Sequence, residues 1–216
     1  TLEFGGTVMN DLLASRHQQV QRQLEAFLGG ELSGARVQRV LLEGDPAQKI
    51  VRYAQSEHVD LIVVSTHGYG PFRRFILGSV TAKVLHDADC PVLTGVHMEA
   101  APAAGSITFR TVLCAVDLGP QSWRVVEYAS RMAAEFAARL IVVHAVPALE
   151  VTAQFAQAAQ GEVAKLCTEL SPQPEVVVEG GDPANAVCRA AERLSADLLV
   201  IGRGSAAGIF GRLRTN

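Results

Sequence analysis

Cysteine is scarce in this 216-residue chain, with only Cys90, Cys114, Cys167 and Cys188. No two stand in a C-x-x-C spacing and no Cys/His spacing suits zinc, so neither a disulfide framework nor a zinc site is expected. Cys114 and Cys188 fall inside apolar strand or helix patterns. They read as small buried hydrophobes in a reducing compartment, and a cytoplasmic setting is the expectation. Charge is also sparse: charged residues make up 19% and the formal net charge is −3. That balance offers no electrostatic footprint for nucleic acid or an anionic membrane, and neither is expected as a partner. No apolar run approaches the roughly 18 residues of a membrane-crossing helix. The start, Thr1-Leu2-Glu3-Phe4, has neither a basic nor an apolar region, so it does not read as a signal peptide. A Walker A sequence, G-x-x-x-x-G-K-[ST], is absent as well.

Apolar residues are plentiful. At 49% of the chain they are sufficient for a packed core, and disorder is not expected. Their arrangement is governed by a repeat. Residues 44–47 read Gly-Asp-Pro-Ala and residues 181–184 read the same, an offset of 137. The same offset pairs Arg52 with Arg189, Ala54 with Ala191, Asp60 with Asp197, Leu61 with Leu198 and Val63 with Val200, without a gap. A period this long means two copies of a whole domain rather than a solenoid.

Within the first copy, residues 7–28 place Val20, Leu24, Phe27 and Leu28 at helical spacing. Residues 36–43 (RVQRVLLE) predict a strand. Asp45-Pro46 predicts a helix start, running to about Glu57, because Asp caps the free N–H groups and Pro loses nothing at the first position. Residues 60–65 (DLIVVS) form the continuous apolar run of a strand buried on both faces. A helix follows from Gly78 to His86, then a strand at 91–95 whose Pro91 suits an edge. The Ala-, Pro- and Gly-rich stretch after Gly95 reads as a linker. The second copy predicts a strand at 111–117, a helix from Pro120 to Ala138, strands at 140–146, 175–179 and 197–202, and a helix at 183–194. The expected division is a first domain at 1–97, a linker at 98–108 and a second domain at 109–216. Strands alternating with helices argue two doubly wound parallel-sheet α/β domains of Rossmann-like type. Both are expected to be incomplete. The counterpart of the strand–helix–strand at 111–146 would lie before Thr1, and the last helix and strand of the second copy would lie beyond Asn216.

After the strand at 60–65 comes Ser65-Thr66-His67-Gly68, nine residues, then Gly78-Ser79 opening a helix. Glycines admit backbone N–H groups close to phosphate oxygens, and a helix start favours an anion. The loop lies at the carboxyl end of a parallel strand, the usual ligand edge. This arrangement resembles the universal stress protein family, whose ATP-binding members carry G-x-x-G, nine residues, then G-[ST]. Gly-Asp-Pro before a helix, Asp-Leu-Ile-Val-Val before the loop, Leu-Gly-Ser-Val after it and Cys-Pro-Val in the last strand add to the resemblance. Ser65 departs from it by replacing the first glycine.

The resemblance implies nucleotide contacts at Val64, Ser65, His67, Gly68, Gly78 and Ser79 in the first copy. In the second copy it implies that Val116, Asp117 and Ala145 contact the adenosine. The second loop keeps Gly202 but carries Ser205 and Thr215 where glycines belong, so phosphate binding there is doubtful. Asp117 also reads as a strand-end residue turning the chain before Pro120. Residues 202–207 imitate the dinucleotide fingerprint G-x-G-x-x-A, but the repeat places them late in the domain rather than after its first strand.

The expected function is an adenine-nucleotide-binding, stress-response regulatory module with ATP as ligand and Mg arriving with it. The alternative is a dimerisation scaffold that binds no nucleotide. An ATP hydrolase ranks last: the loop region supplies no carboxylate cluster for metal, and His67 has no acid or nucleophile beside it. No catalytic or metal-ligating residue is assigned. The resemblance also implies self-association through the edge strand at 91–95.

Overall fold

The computed structural model describes residues 3–66, 77–95, 108–147 and 152–203. It divides into two units, Thr1–Ala104 and Gly105–Asn216. The first carries α1 (Glu3–Ala26), α2 (Pro46–Ser56), β1 (Ile62–Ser65), α3 (Ser79–Asp87) and β2 (Val92–Gly95). The second carries β3 (Thr111–Val116), α4 (Ser122–Glu135), β4 (Arg139–Val146), α5 (Ala153–Leu166), β5 (Glu175–Gly180), α6 (Pro183–Arg193) and β6 (Leu198–Ile201).

The repeated Gly-Asp-Pro is a helix start in both units, and each residue has its own reason to be there. Gly44 and Gly181 sit at φ +125° and +124°, a backbone region that a side chain disfavours. The Asp45 carboxylate accepts the Gln48 N–H at 2.9 Å, and Asp182 accepts the Asn185 N–H at 3.1 Å. Pro46 and Pro183 then open α2 and α6 with φ already set for helix.

In the second unit the four strands among the described residues are parallel, in the order β5-β4-β3-β6. Val112, Cys114 and Val142 pack under α4 and α5 on one face; Leu113, Ile141 and Val143 meet Ala190 of α6 on the other. Burial on both faces explains the unbroken apolar runs of β3 and β4. Burial also pushes the Cys114 thiol up to about 12, with Cys167 adding to the shift. Cys188 corrects the expectation from sequence: it lies exposed on α6.

Among the described residues the first unit holds one parallel pair, β1-β2, with α2 and α3 over one face around Ala47, Val51, Ile62 and Val84. The strand expected at 36–43 does not form, since those residues make no ladder. The physical reason lies in the second unit. There the corresponding strand, β5, has β4 as its sole neighbour, and among the described residues the first unit has no counterpart of β4. An extended segment without a neighbouring strand has nothing to pair with. Val37 and Leu42 are accordingly exposed, as are Val20 on α1 and Phe27 and Leu28 just after it.

Two contacts fix the ends of β6 in the second unit. At its start, the Asp197 carboxylate accepts the N–H groups of Arg110 at 2.8 Å and Thr111 at 2.9 Å. These two bonds hold the carboxyl below its ordinary range. At its end, a Cβ on Gly202 would lie 2.8 Å from Val125 Cγ2 on α4, too close for any real contact.

Each contact generates a prediction. Because the Asp197 pKa is depressed on folding, its stabilisation is fully present above the unfolded carboxylate value, about 3.9. It is lost as pH falls through the depressed folded value. Asp197→Asn is expected to be less stable than the parent at neutral pH, with the gap closing in strong acid; urea midpoints across pH check it. Gly202→Ala is expected to destabilise by about 1–3 kcal/mol through overpacking. Adding Val125→Ala should restore part of that loss, and a double-mutant cycle in urea measures it.

Candidate functional site

A parallel sheet brings the carboxyl ends of its strands to one edge. In the second unit Val116 lies opposite His144 and Ala115 opposite Ile201. Val116, Asp117, Ala145 and Gly202 are thereby gathered at that edge. Asp117 there turns the chain. Its Oδ1 accepts the Gly119 N–H at 2.9 Å and the Ser122 hydroxyl at 3.0 Å. Between them Leu118 adopts φ +59°, and a Cβ on Gly119 would come within 2.9 Å of Asp117 Oδ1. The loop is therefore preset by its own side chains, and Asp117 Oδ2 makes no hydrogen bond among the described residues.

Two residues at this edge escaped the sequence reading. His144 donates from Nδ1 to the Val116 carbonyl at 2.9 Å, which fixes the end of β3 against β4. Ser122 is buried and donates to Asp117. Neither belongs to a motif; strand register for His144 and a helix start for Ser122 bring them into place. Gly202 has a packing cause, its contact with Val125, independent of any ligand.

In the first unit the carboxyl end of β1 meets the start of α3. The Gly78 N–H donates to the Thr66 carbonyl at 2.7 Å, and the buried Thr81 hydroxyl donates to the Ser65 carbonyl at 2.7 Å. These bonds tie the exit of β1 to the helix start. Gly78 is the N-cap and has no side chain to cap with. The N–H groups of Ser79, Val80 and Thr81 stand before the intrahelical ladder, which begins with Ala82 donating to the Gly78 carbonyl at 2.8 Å. Nearby, Lys83 of α3 meets the Asp45 cap at 3.2 Å. The Gln48 N–H first, and Lys83 second, lower the Asp45 pKa.

Val64 packs into the core with its side chain, and Ser65 is exposed. Ser65 is the counterpart of Gly202. No helix of the α4 type stands over it among the described residues, so the steric demand for glycine is absent there. His67 and Gly68 lie outside the described residues. Among the described residues no group of three or more His, Cys, Asp or Glu is placed to hold a metal ion, and no helix is long and apolar enough to cross a membrane.

Comparison with known proteins follows the same two-part division. A sequence model of the universal stress protein family matches residues 4–94 and again 108–215. A universal stress protein of Methanocaldococcus jannaschii is 35% identical over 86 residues, 40% of this chain and 49% of that protein. One of Methanothermobacter thermautotrophicus is 40% identical over 81 residues, 37% of this chain and 55% of that protein. These matches span about half the length of those curated relatives. The crystal structure of a universal stress protein from Archaeoglobus fulgidus aligns with a TM-score of 0.67 at 21% identity, covering 95% of this chain and 71% of that one. At that identity the likeness speaks for the fold. With a separate family match on each of two α/β units, the chain belongs to the universal stress protein family, as a tandem of two of its domains.

Proposed function

We propose that the protein is an adenine-nucleotide-binding regulatory module of the stress response, with the phosphate end of its site at the start of α3. The observation that carries this reading is the uncapped helix start beside the end of β1. Gly78 presents no Cβ, and the N–H groups of Ser79, Val80 and Thr81 have no intrahelical acceptor. Free N–H groups and the helix dipole favour an anion there. The Gly78 N–H is already committed to Thr66, so the reading assigns phosphate contact to the N–H groups after it and to the Ser79 hydroxyl. ATP fits such a start through its phosphates, with Mg accompanying it, and His67 and Gly68 are assigned to the same loop on sequence alone.

In the second unit the adenosine side is assigned to Val116, Asp117 Oδ2 and Ala145, with Gly202 beside them. The Ser205 and Thr215 replacements support weaker phosphate binding there. No hydrolytic step is assigned. The cytoplasmic setting expected from the cysteines belongs to this same reading.

A specific observation favours self-association as a second property. β2 pairs with β1 alone among the described strands, so its outer edge is open, and an open apolar edge recruits another strand. The edge at 91–95 is therefore proposed as the contact with a second domain of the same kind.

Two measurements follow. Gly78→Val places a side chain where phosphate must approach, and ATP affinity by calorimetry is expected to fall by about a hundredfold, roughly 3 kcal/mol. Unchanged affinity in a variant with native circular dichroism would reduce the loop to a turn. Leu93→Lys is the appropriate edge substitution, because Val92 packs into the core. It is expected to shift sedimentation at high concentration towards monomer, and an unaltered profile would remove 91–95 from the contact.

A further inference from the structure

We propose that His144 is a positioning residue for the nucleoside end of the second unit. It holds the Val116–Asp117 peptide so that the Asp117 N–H stands as a donor in the crevice between β3 and β6. The inference rests on the adenosine assignment made above. It adds to that assignment a backbone contact and the side chain that orients it. It concerns the interior strand β3, which is paired along both edges.

The two edges of β3 can be assigned from its start. The Arg110 carbonyl accepts the Arg139 N–H at 2.8 Å, on the β4 side, and the Thr111 carbonyl accepts the Asp197 N–H at 3.0 Å, on the β6 side. Successive residues of a strand turn their backbone groups to opposite edges, so even-numbered residues of β3 address β4 and odd-numbered ones β6. Val116 therefore directs its carbonyl towards β4, where His144 lies opposite it in register. The side-chain bond agrees, with His144 Nδ1 donating to that carbonyl at 2.9 Å. A carbonyl only accepts, so Nδ1 carries the proton. A trans peptide is planar and sets its C=O and N–H on opposite sides. With the Val116 carbonyl tied to β4, the Asp117 N–H is directed towards β6. There it meets no acceptor among the described residues, because the ladder between β3 and β6 ends with Ala115 opposite Ile201.

That crevice is where a sheet of this order takes a ligand. From β3 the chain passes through α4 to β4 on one side, and it reaches β6 on the other side through α6. α4 packs on one face of the sheet and α6 on the opposite one. The strand order thus reverses between β3 and β6, and ligands of parallel sheets enter outside the carboxyl ends of the strands at such a reversal. The peptide is braced from its far end as well, since Asp117 Oδ1 is committed to the Gly119 N–H and the Ser122 hydroxyl. Among the described residues Val116 and His144 are the last registered pair of β3 and β4, so the imidazole adds a bond where the ladder stops. A donor fixed before the ligand arrives needs no ordering on binding. Its counterpart is an acceptor atom of the nucleoside.

Titration of the intact, isotope-labelled chain with adenosine tests this, with the Asp117 amide resonance as the readout. His144→Phe keeps a planar ring and removes the donor, whereas His144→Asn returns an amide N–H to the place of Nδ1. The parent is expected to show a saturable shift of the Asp117 amide. Affinity is expected to fall about tenfold in His144→Phe and to recover to within about threefold of the parent in His144→Asn, the range set by one hydrogen bond. The Leu113 and Ile141 amides, in the core of the sheet, should keep their positions in both variants. Equal affinity in the parent and His144→Phe overturns the positioning role. So does an equal loss in both variants, which makes the imidazole a packing group. Saturable binding that leaves the Asp117 amide unmoved removes that N–H as the contact. If the parent binds no adenosine, the nucleotide reading falls and this inference falls with it. That result is distinct from the others, because the variants play no part in it.

Discussion

The parallel pairing of β3 with a strand on each side is the interaction on which the second unit depends. Val112, Leu113 and Cys114 are fully buried, and their side chains alternate between the α4–α5 layer and the α6 layer. Backbone groups in such an interior have no water to turn to, so each must be met by a neighbour. β4 and β6 meet them, β4 in turn recruits β5, and the helices close both faces. Where no such central strand is described, as in the first unit, the consequences spread through that unit. Among the described residues the sheet is reduced to β1-β2, the segment at 36–43 finds no ladder, and Leu12, Leu13 and Val20 of α1 are exposed. The two units share sequence and differ in what stands beside the shared strand.

The fold was largely legible because its signals are local. Gly-Asp-Pro states a helix start through one residue's backbone freedom, the next one's carboxylate and the third one's ring, and both copies read correctly. The run TVLCAVD announced a parallel strand buried on both faces because such burial removes the polar alternation. DLIVVS forms a parallel strand with one face covered and Val63 exposed among the described residues, against the expectation of burial on both faces. The segment RVQRVLLE misled for a related reason. Its pattern describes a surface suited to a sheet, but a strand requires a partner that no pattern within the segment can supply. Cys188 misled because one face of α6 is covered and the other is open, and a mostly apolar helix sequence does not say which.

The candidate site was legible in its outline and less so in its causes. The family resemblance assigned Val116, Asp117 and Ala145 to one ligand, and the sheet gathers these residues with Gly202 at one edge. The sequence did offer the chain-turning role of Asp117, which the bonds from Gly119 and Ser122 bear out. It did not indicate that Ser122 is one of the donors or that His144 secures the Val116 carbonyl. Those bonds depend on register and on a helix start, which are fixed only when the elements assemble. In the first unit the same gap applies to Gly78, whose N–H turns out to be bound to Thr66.

The contact between Gly202 and Val125 bears on how sequences of this kind drift. A methyl group at position 202 forces a shift while a β-branched side chain occupies position 125, so the two sites are coupled in how they change. The constraint comes from a helix packed against a strand end and operates with or without a ligand. A lineage that ceased to bind nucleotide in its second domain would keep this glycine for as long as it kept the helix. Ser65, at the equivalent place, has no such helix over it among the described residues and there meets no such restraint. A glycine in the motif is therefore a record of packing first, and its survival alone is not a trace of activity.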